Sequence, residues 1–323
     1  MAGKKIILVG CGNIGSRHLQ ALTKLNGEYL IEIIEPNDEA VLLAKLRLGE
    51  MKYDENLKKI VWKKSISKNT KNSDLVIIAT NSKNRVKIID ELLKLGHKIF
   101  LIEKIVCQSI KEFDELLLKM KKFSAKGWVN TNRRYYSGYQ KIKEIFKDSK
   151  KLHLSVFAGN LGLGTNSIHY IDLFCWLARD NNIKINGEFL IKEIFENKRG
   201  NDFKEFQGTL VGTNQHGLVS LTFLPSEKQK ILIHIYGDGK FVEINELEND
   251  AHIFNHGSKN KIEFEFEHTS VLTTKIIDDI FSKNDCLLPT LEESQKIHIE
   301  LFRTFNQHIK KILNSETELC PIT

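Results

Sequence analysis

Proline is scarce in this 323-residue chain, with only four copies, and no segment is repeated or of low complexity. With 41% hydrophobic and 28% charged residues, that composition excludes a disordered or fibrous chain. No apolar stretch reaches the length needed to cross a bilayer before Lys, Glu or Asp interrupts it. The amino end, Met1-Ala-Gly-Lys-Lys-Ile-Ile-Leu-Val-Gly10, opens with basic residues as a signal peptide does. Its apolar run stops at a glycine far short of a signal core, so it reads as a strand, and a soluble cytoplasmic protein with no membrane partner is expected. The five cysteines, Cys11, Cys107, Cys175, Cys286 and Cys320, are widely spaced, with no Cys-x-x-Cys and no Cys/His cluster at zinc-ligand spacing. Reduced thiols and no metal site are expected. A basic block is missing too: the formal net charge is +7, but lysines interleave with glutamates along the chain. Nucleic-acid binding is therefore not expected; such a surface is ordinarily just solvated, or mildly attracts an anionic cofactor or substrate.

What remains is a chain long enough for two domains. An apolar strand, Lys5 to Val9, runs into Gly10-Cys11-Gly12-Asn13-Ile14-Gly15 and then into a helical pattern from Ser16 to Leu22. In a dinucleotide-binding turn of this kind, the first glycine makes the tight turn, the second lets backbone approach a pyrophosphate, and the third allows close helix packing. The helix start then offers N–H groups and a positive dipole to phosphates. A second strand, Tyr29 to Ile34, ends in Glu35, twenty positions past Gly15, where a carboxylate can accept the adenosine ribose hydroxyls. Two further buried strands end in polar residues: Ser73 to Thr80 leads to Asn81, and Lys98 to Ile102 leads to Glu103 and Lys104. Strand tips of a parallel sheet face its ligand crevice, so Thr80, Asn81, Glu103 and Lys104 are site candidates.

Downstream, Lys151–Phe157, Gly208–Gly212, Leu218–Phe223, Lys230–Tyr236 and Phe241–Ile244 alternate or cluster apolar residues between turn signals and read as antiparallel strands. A final amphipathic helix is expected at about 291–313, with Thr290 and Glu293 as a capping box. The fold class is α/β: a Rossmann domain with a parallel sheet over residues 1–122, then an α+β domain with a largely antiparallel open sheet over 123–323. An exposed face on that second sheet would suit a homo-oligomer.

Several collinear segments resemble the glucose-fructose oxidoreductase, inositol dehydrogenase and rhizopine-catabolism (Gfo/Idh/MocA) family. They are Gly10–His18, Asp74–Thr80, Gly96–Lys104, Asn132–Arg134, His169–Trp176 and Ile235–Ile244. The resemblance implies NAD as cofactor, held by Gly10, Gly12, Asn13, Ile14, Gly15, Glu35, Thr80, Asn81 and Glu103. It also implies hydride transfer to or from a carbinol or carbonyl carbon of a sugar, polyol or nucleotide sugar, a carbohydrate-like small molecule. Lys104 is similar to the family's catalytic lysine and His169 to its proton-handling histidine, with the pocket expected between nicotinamide and the second sheet. Imidazole titrates near neutrality and suits a general base, while an ammonium stabilises a developing alkoxide. Arg133, Asn166 and Asp172 are the expected substrate-side residues. Asp172, three positions after His169, could orient it or simply solvate the helix, and Arg133 and Arg134 could grip a carboxylate or phosphate bidentately or form a solvated pair.

The chain departs from the family pattern at three places. Ile105 follows Lys104 where proline is usual, Arg85 stands where a histidine is common, and Thr165 occupies the place of the acid four residues before His169. An uncharged residue there could not raise imidazole basicity as a carboxylate would. That favours a second reading, a non-catalytic dinucleotide-binding sensor or regulator. A third, reduction of an imine or double bond, would use the same residues as proton donors.

Overall fold

The computed structural model describes residues 3–70, 73–226, 228–255 and 257–323. Two compact units divide the chain. The first comprises the chain up to Cys107, Lys111–Asn130 and Glu267–Leu291; the second comprises Gln108–Ile110, Thr131–Phe266 and Glu292–Thr323.

In chain order the elements begin with β1 (Lys4–Val9), α1 (Gly15–Leu22), β2 (Tyr29–Ile34), α2 (Asp38–Gly49), β3 (Lys58–Lys63), β4 (Leu75–Ile78), α3 (Arg85–Lys94), β5 (Ile99–Ile102), α4 (Ile110–Lys122) and β6 (Lys126–Val129). The six strands form one parallel sheet in the order β3-β2-β1-β4-β5-β6. The order reverses between β1 and β4, and there a doubly wound sheet opens a crevice at the carboxyl ends of its strands. Ile6, Ile7 and Leu8 of β1 and all of β4 are wholly buried. Central parallel strands are covered on both faces, which is why these segments are unbroken apolar runs. The edge strand β3, Lys58-Lys-Ile-Val-Trp-Lys63, is mostly half-buried and correspondingly mixed.

The chain continues with α5 (Ser137–Ile145), β7 (Leu152–Gly159), α6 (Leu163–Ala178), β8 (Lys184–Leu190), β9 (Phe195–Glu196), β10 (Lys204–Glu205), β11 (Gly208–Asn214), β12 (Gly217–Leu224), β13 (Lys230–Gly237), β14 (Lys240–Asn245), β15 (Asp250–Asn255), β16 (Ser258–Lys261), α7 (Thr269–Lys283) and α8 (Leu291–Leu313). Eight of these strands make the second sheet, ordered β16-β15-β14-β13-β7-β12-β11-β8; β7 and β12 run parallel and the other neighbours antiparallel. Leu152, Leu154, Val156 and Ala158 of β7 point to one face, where α6 packs against β7 and β12. The α6 sequence is apolar almost all round, and the helix is buried almost all round, as such a helix must be. The other sheet face is open. Cross-strand partners put Phe189, Thr209, Thr222, Phe157 and Leu232 in one row there, and Phe157, Phe189 and Tyr236 are exposed.

This is the expected α/β architecture, but the units do not follow a single cut between 122 and 123. β6 extends the first sheet to Val129 by pairing with β5. The late helix α7 also belongs to the first unit: Thr274 Oγ1 donates to the Ala21 carbonyl of α1 at 3.1 Å, and Phe281 stacks on Tyr29 with ring centroids 6.3 Å apart. Among the described residues no helix is long and apolar enough to cross a membrane, and no group of three or more His, Cys, Asp or Glu could hold a metal ion.

Candidate functional site

The glycine loop between β1 and α1 is shaped by one turn, one close contact and one opening. Gly10 turns with φ +85°, a conformation that L side chains rarely adopt. A Cβ on Gly15 would sit 2.0 Å from the Gly10 carbonyl oxygen, so no other residue fits without moving the loop. A Cβ on Gly12 would meet nothing within 4 Å. Gly12 lines a cavity of about 470 Å³ together with Val9, Gly10, Glu35, Thr80 and Asn81. Glu35 is buried at its edge, where Oε2 accepts from the Cys11 N–H at 2.6 Å and Oε1 from the Asn37 N–H at 2.9 Å. These bonds fix the carboxylate while leaving lone pairs for a further donor. Burial, and then the nearby Glu35 charge, push the Cys11 thiol up to about 12, which keeps it protonated and unreactive.

Two features of this region go beyond the sequence-derived set. Lys64, Ser65 and Ile66, beyond the end of β3, form part of the cavity wall. Arg47 of α2 reaches back to the loop, donating to the Asn13 carbonyl at 2.8 Å and to Ser16 Oγ at 2.7 Å. Neither could be read locally, because both depend on how β3 and α2 lie beside the loop.

At the β5 tip, Glu103 is buried beside His18 of α1 and Asn130, just past β6. Its Oε1 lies 3.0 Å from His18 Nε2 and accepts from Asn130 Nδ2, while His18 Nδ1 lies 2.8 Å from Thr273 Oγ1. Burial opposes ionisation of Glu103, but the His18 hydrogen bond and charge, then Asn130 and Lys104, outweigh it and hold the carboxyl below its ordinary value. The buried Arg85 guanidinium donates to the Thr80, Glu103 and Ile105 carbonyls, tying the β4 and β5 tips together around Lys104. Lys104 itself is 7% exposed, and its peptide bond to Ile105 is cis.

In the second unit the arginines do grip carboxylates, but those carboxylates belong to the chain. Arg133 Nε and Nη2 meet Glu246 at 3.0 and 2.9 Å, and Nη2 also donates to Tyr170 Oη at 2.6 Å. Arg134 binds Asp172 through Nε at 2.9 Å and Nη2 at 2.6 Å, and Thr131 Oγ1 donates to the same carboxylate at 2.8 Å. All four ion-pair residues are buried. Arg133 and Asp172, expected on the substrate side, are therefore engaged in internal ion pairs: 3₁₀ residues Asn132–Tyr135 pack against α6, which carries Asp172, while Glu246 lies in a second 3₁₀ turn, Glu246–Glu248.

The start of α6 holds the most informative difference. Thr165 is bonded to a carboxylate after all: Thr165 Oγ1 donates to Glu205 Oε2 at 2.6 Å, and the Gly164 and Thr165 N–H groups point to the same side chain. Leu163 N–H is taken by the Phe206 carbonyl at 2.9 Å. Glu205 thus caps donors that a helix start leaves without intrahelical partners. Burial raises its carboxyl above the ordinary value, and the Thr165, Phe206 and Gly164 hydrogen bonds only partly offset that. Beside it lies a hollow of about 260 Å³ whose lining includes Asn166, Phe195, Asn197, Glu205 and Gln207. Gln207 Oε1 is fully enclosed there without a hydrogen-bond partner among the described residues. His169 is half-buried one helical turn beyond Thr165.

Residues 4–131 match the model of a family described as "Oxidoreductase family, NAD-binding Rossmann fold", Gfo/Idh/MocA. No curated protein matches the chain by sequence. Solved structures do match in fold. An oxidoreductase from Agrobacterium radiobacter, in complex with NAD+, L-tartaric acid and magnesium, has a TM-score of 0.72 at 12% identity, covering 94% of this chain and 96% of that one. A UDP-N-acetylglucosamine 3-dehydrogenase from Acidithiobacillus ferrooxidans has a TM-score of 0.70 at 13% identity, covering 97% and 100%. A biliverdin reductase from Synechocystis, in complex with biliverdin and NADP+, has a TM-score of 0.69 at 11% identity, covering 93% and 97%.

Proposed function

We propose that this chain, a member of the Gfo/Idh/MocA oxidoreductases through residues 4–131, moves a hydride between NAD and a carbinol or carbonyl carbon of a sugar, polyol or nucleotide sugar. The observation that carries the reading is the 470 Å³ cavity, lined by Gly12, on which a Cβ would meet nothing within 4 Å, and by the buried Glu35 carboxylate. It fits a dinucleotide: Gly12 leaves room for backbone to approach a pyrophosphate, the start of α1 favours its charge, and Glu35 has acceptor capacity for ribose hydroxyls. When bound, the nicotinamide ring supplies the hydride acceptor or donor.

The chain's own residues do the rest. In the oxidising direction His169 takes the hydroxyl proton as the carbinol carbon gives up its hydrogen with the bonding pair, leaving a carbonyl. Lys104 stabilises the developing alkoxide. Glu205 favours catalysis over the sensor reading in one respect: it brings a carboxyl group to Thr165, one turn before His169, from outside the helix, where the helix's own sequence offers no acid. The hollow beside it suits a hydroxyl-rich ring: carboxamides and a carboxylate can bond neighbouring hydroxyls, and the Phe195 ring offers an apolar face. We assign Asn166 to that contact. The open face of the second sheet, with Phe157, Phe189 and Tyr236 exposed, supports association of two copies.

The reading is tested by following nicotinamide absorbance as the protein meets a panel of sugars, polyols, sugar acids and nucleotide sugars. Turnover of a carbinol substrate is expected, and none with any member would remove the dehydrogenase reading. NADH is expected to bind about tenfold tighter than NADPH, because Glu35 repels a 2′-phosphate. Fluorescence titration of both measures this, and tighter NADPH binding would reverse the assignment.

A further inference from the structure

The tips of β2 and β3 lie side by side. Ile34 is opposite Lys63, and the Glu35 N–H donates to the Lys63 carbonyl at 2.9 Å. Both segments run on into the cavity wall, so Glu35, Pro36, Lys64 and Ser65 all line the same space. The two adjacent lysines have different partners. Lys63 Nζ pairs with the buried Glu32 carboxylate at 2.8 Å, whereas Lys64 Nζ pairs with Asp38 in the first turn of α2 and lies 3.4 Å from the Pro36 carbonyl oxygen. The Lys64 and Asp38 side chains are 57% and 89% exposed, so their pairing adds little to stability. Lys64 nonetheless lines the same cavity as Glu35, so its pairing bears on the charge presented there.

Resting on the dinucleotide reading above, we infer that the Asp38–Lys64 pair sets discrimination at the adenosine ribose 2′ position. The acid at the end of the second strand is where such folds read the 2′-hydroxyl, and a nearby cation is what admits a 2′-phosphate. This chain has both: Glu35 at the β2 tip and Lys64 on the neighbouring tip. Asp38 holds the Lys64 charge, so that it does not offset the repulsion between Glu35 and a phosphate. A free 2′-hydroxyl is admitted and a 2′-phosphomonoester is disfavoured. The preference therefore depends on an exposed residue of α2 as well as on Glu35.

The test uses the whole protein, with NADH and NADPH as probes and fluorescence titration as the readout. Asp38→Asn should raise NADPH affinity about fivefold and change NADH affinity by less than about twofold, as expected for releasing one partly screened charge. Asn37, which caps α2 by accepting from the Ala40 N–H at 3.0 Å, is untouched, so the helix start should hold. In Asp38→Asn/Lys64→Ala the gain should vanish, and in Asp38→Asn alone it should shrink between about 20 and about 500 mM salt. An unchanged NADPH affinity in Asp38→Asn overturns the inference. So does a gain that survives loss of Lys64 or is indifferent to salt. If the parent binds neither nucleotide, the dinucleotide reading fails, and this inference falls with it.

Discussion

Gly12→Val is expected to weaken NADH binding by about 100-fold while the protein stays folded. The stability half of that expectation follows from the open side of Gly12, where an added Cβ meets nothing within 4 Å. The binding half follows from the position of Gly12 in the wall of the cavity on which the dinucleotide reading rests. A hundredfold loss corresponds to about 3 kcal/mol, the upper end of the cost of forcing extra methyl groups into space that must be filled by something else. Gly15→Ala is the control with opposite logic. Its Cβ would fall 2.0 Å from the Gly10 carbonyl oxygen, so the loop itself must shift and thermal stability should drop. Thermal melts and NADH titration on both variants separate the cases, and parental NADH binding by Gly12→Val would reduce the loop to a mere turn.

Lys104→Ala and His169→Ala should each cut turnover by about 100-fold or more, the usual scale for losing a general base or a charge-stabilising group. NADH affinity should stay within about threefold, because neither residue lines the cavity edged by Glu35. Lys104 follows a strand tip whose backbone is tied by Arg85, and Glu103 beside it is braced by His18 and Asn130. Its position is thus set by neighbours that the substitution leaves in place. Single-turnover hydride transfer, measured beside cofactor affinity, distinguishes lost chemistry from lost binding. A fully active His169→Ala protein would end the proposed mechanism.

The sequence carries the first sheet's centre plainly, because strand segments covered on both faces must be apolar, as residues 6–9 of β1 and all of β4 are. It carries β3 poorly: a half-buried edge strand tolerates Lys58, Lys59 and Lys63, and so loses the pattern that would mark it. The glycine loop and Glu35 are legible for a similar reason, since their spacing is local. Glu205 is not. It reaches Thr165 from 40 positions away, and only the packing of β10 near the start of α6 makes it that residue's acid. The same applies to Arg133 and Glu246, 113 positions apart: the sequence shows an arginine able to grip a carboxylate but not which carboxylate takes it. Lys64 was hidden twice over, just past the end of an unread strand and among 48 basic residues.

The helix α7 gives the dinucleotide unit an unusual dependence on the order of synthesis. The ribosome delivers β1 to β6 early, yet Thr273, which meets His18, and Phe281, which stacks on Tyr29, emerge only after the whole second sheet. Until then α1 lacks the cover that α7 provides. A chain ending before Glu267 would hold every glycine of the loop and still not be a complete unit, its His18 and Tyr29 left without those partners. Premature termination anywhere in the second sheet should therefore yield a product that proteases can tell from the finished protein, by a defect in the half that was made first.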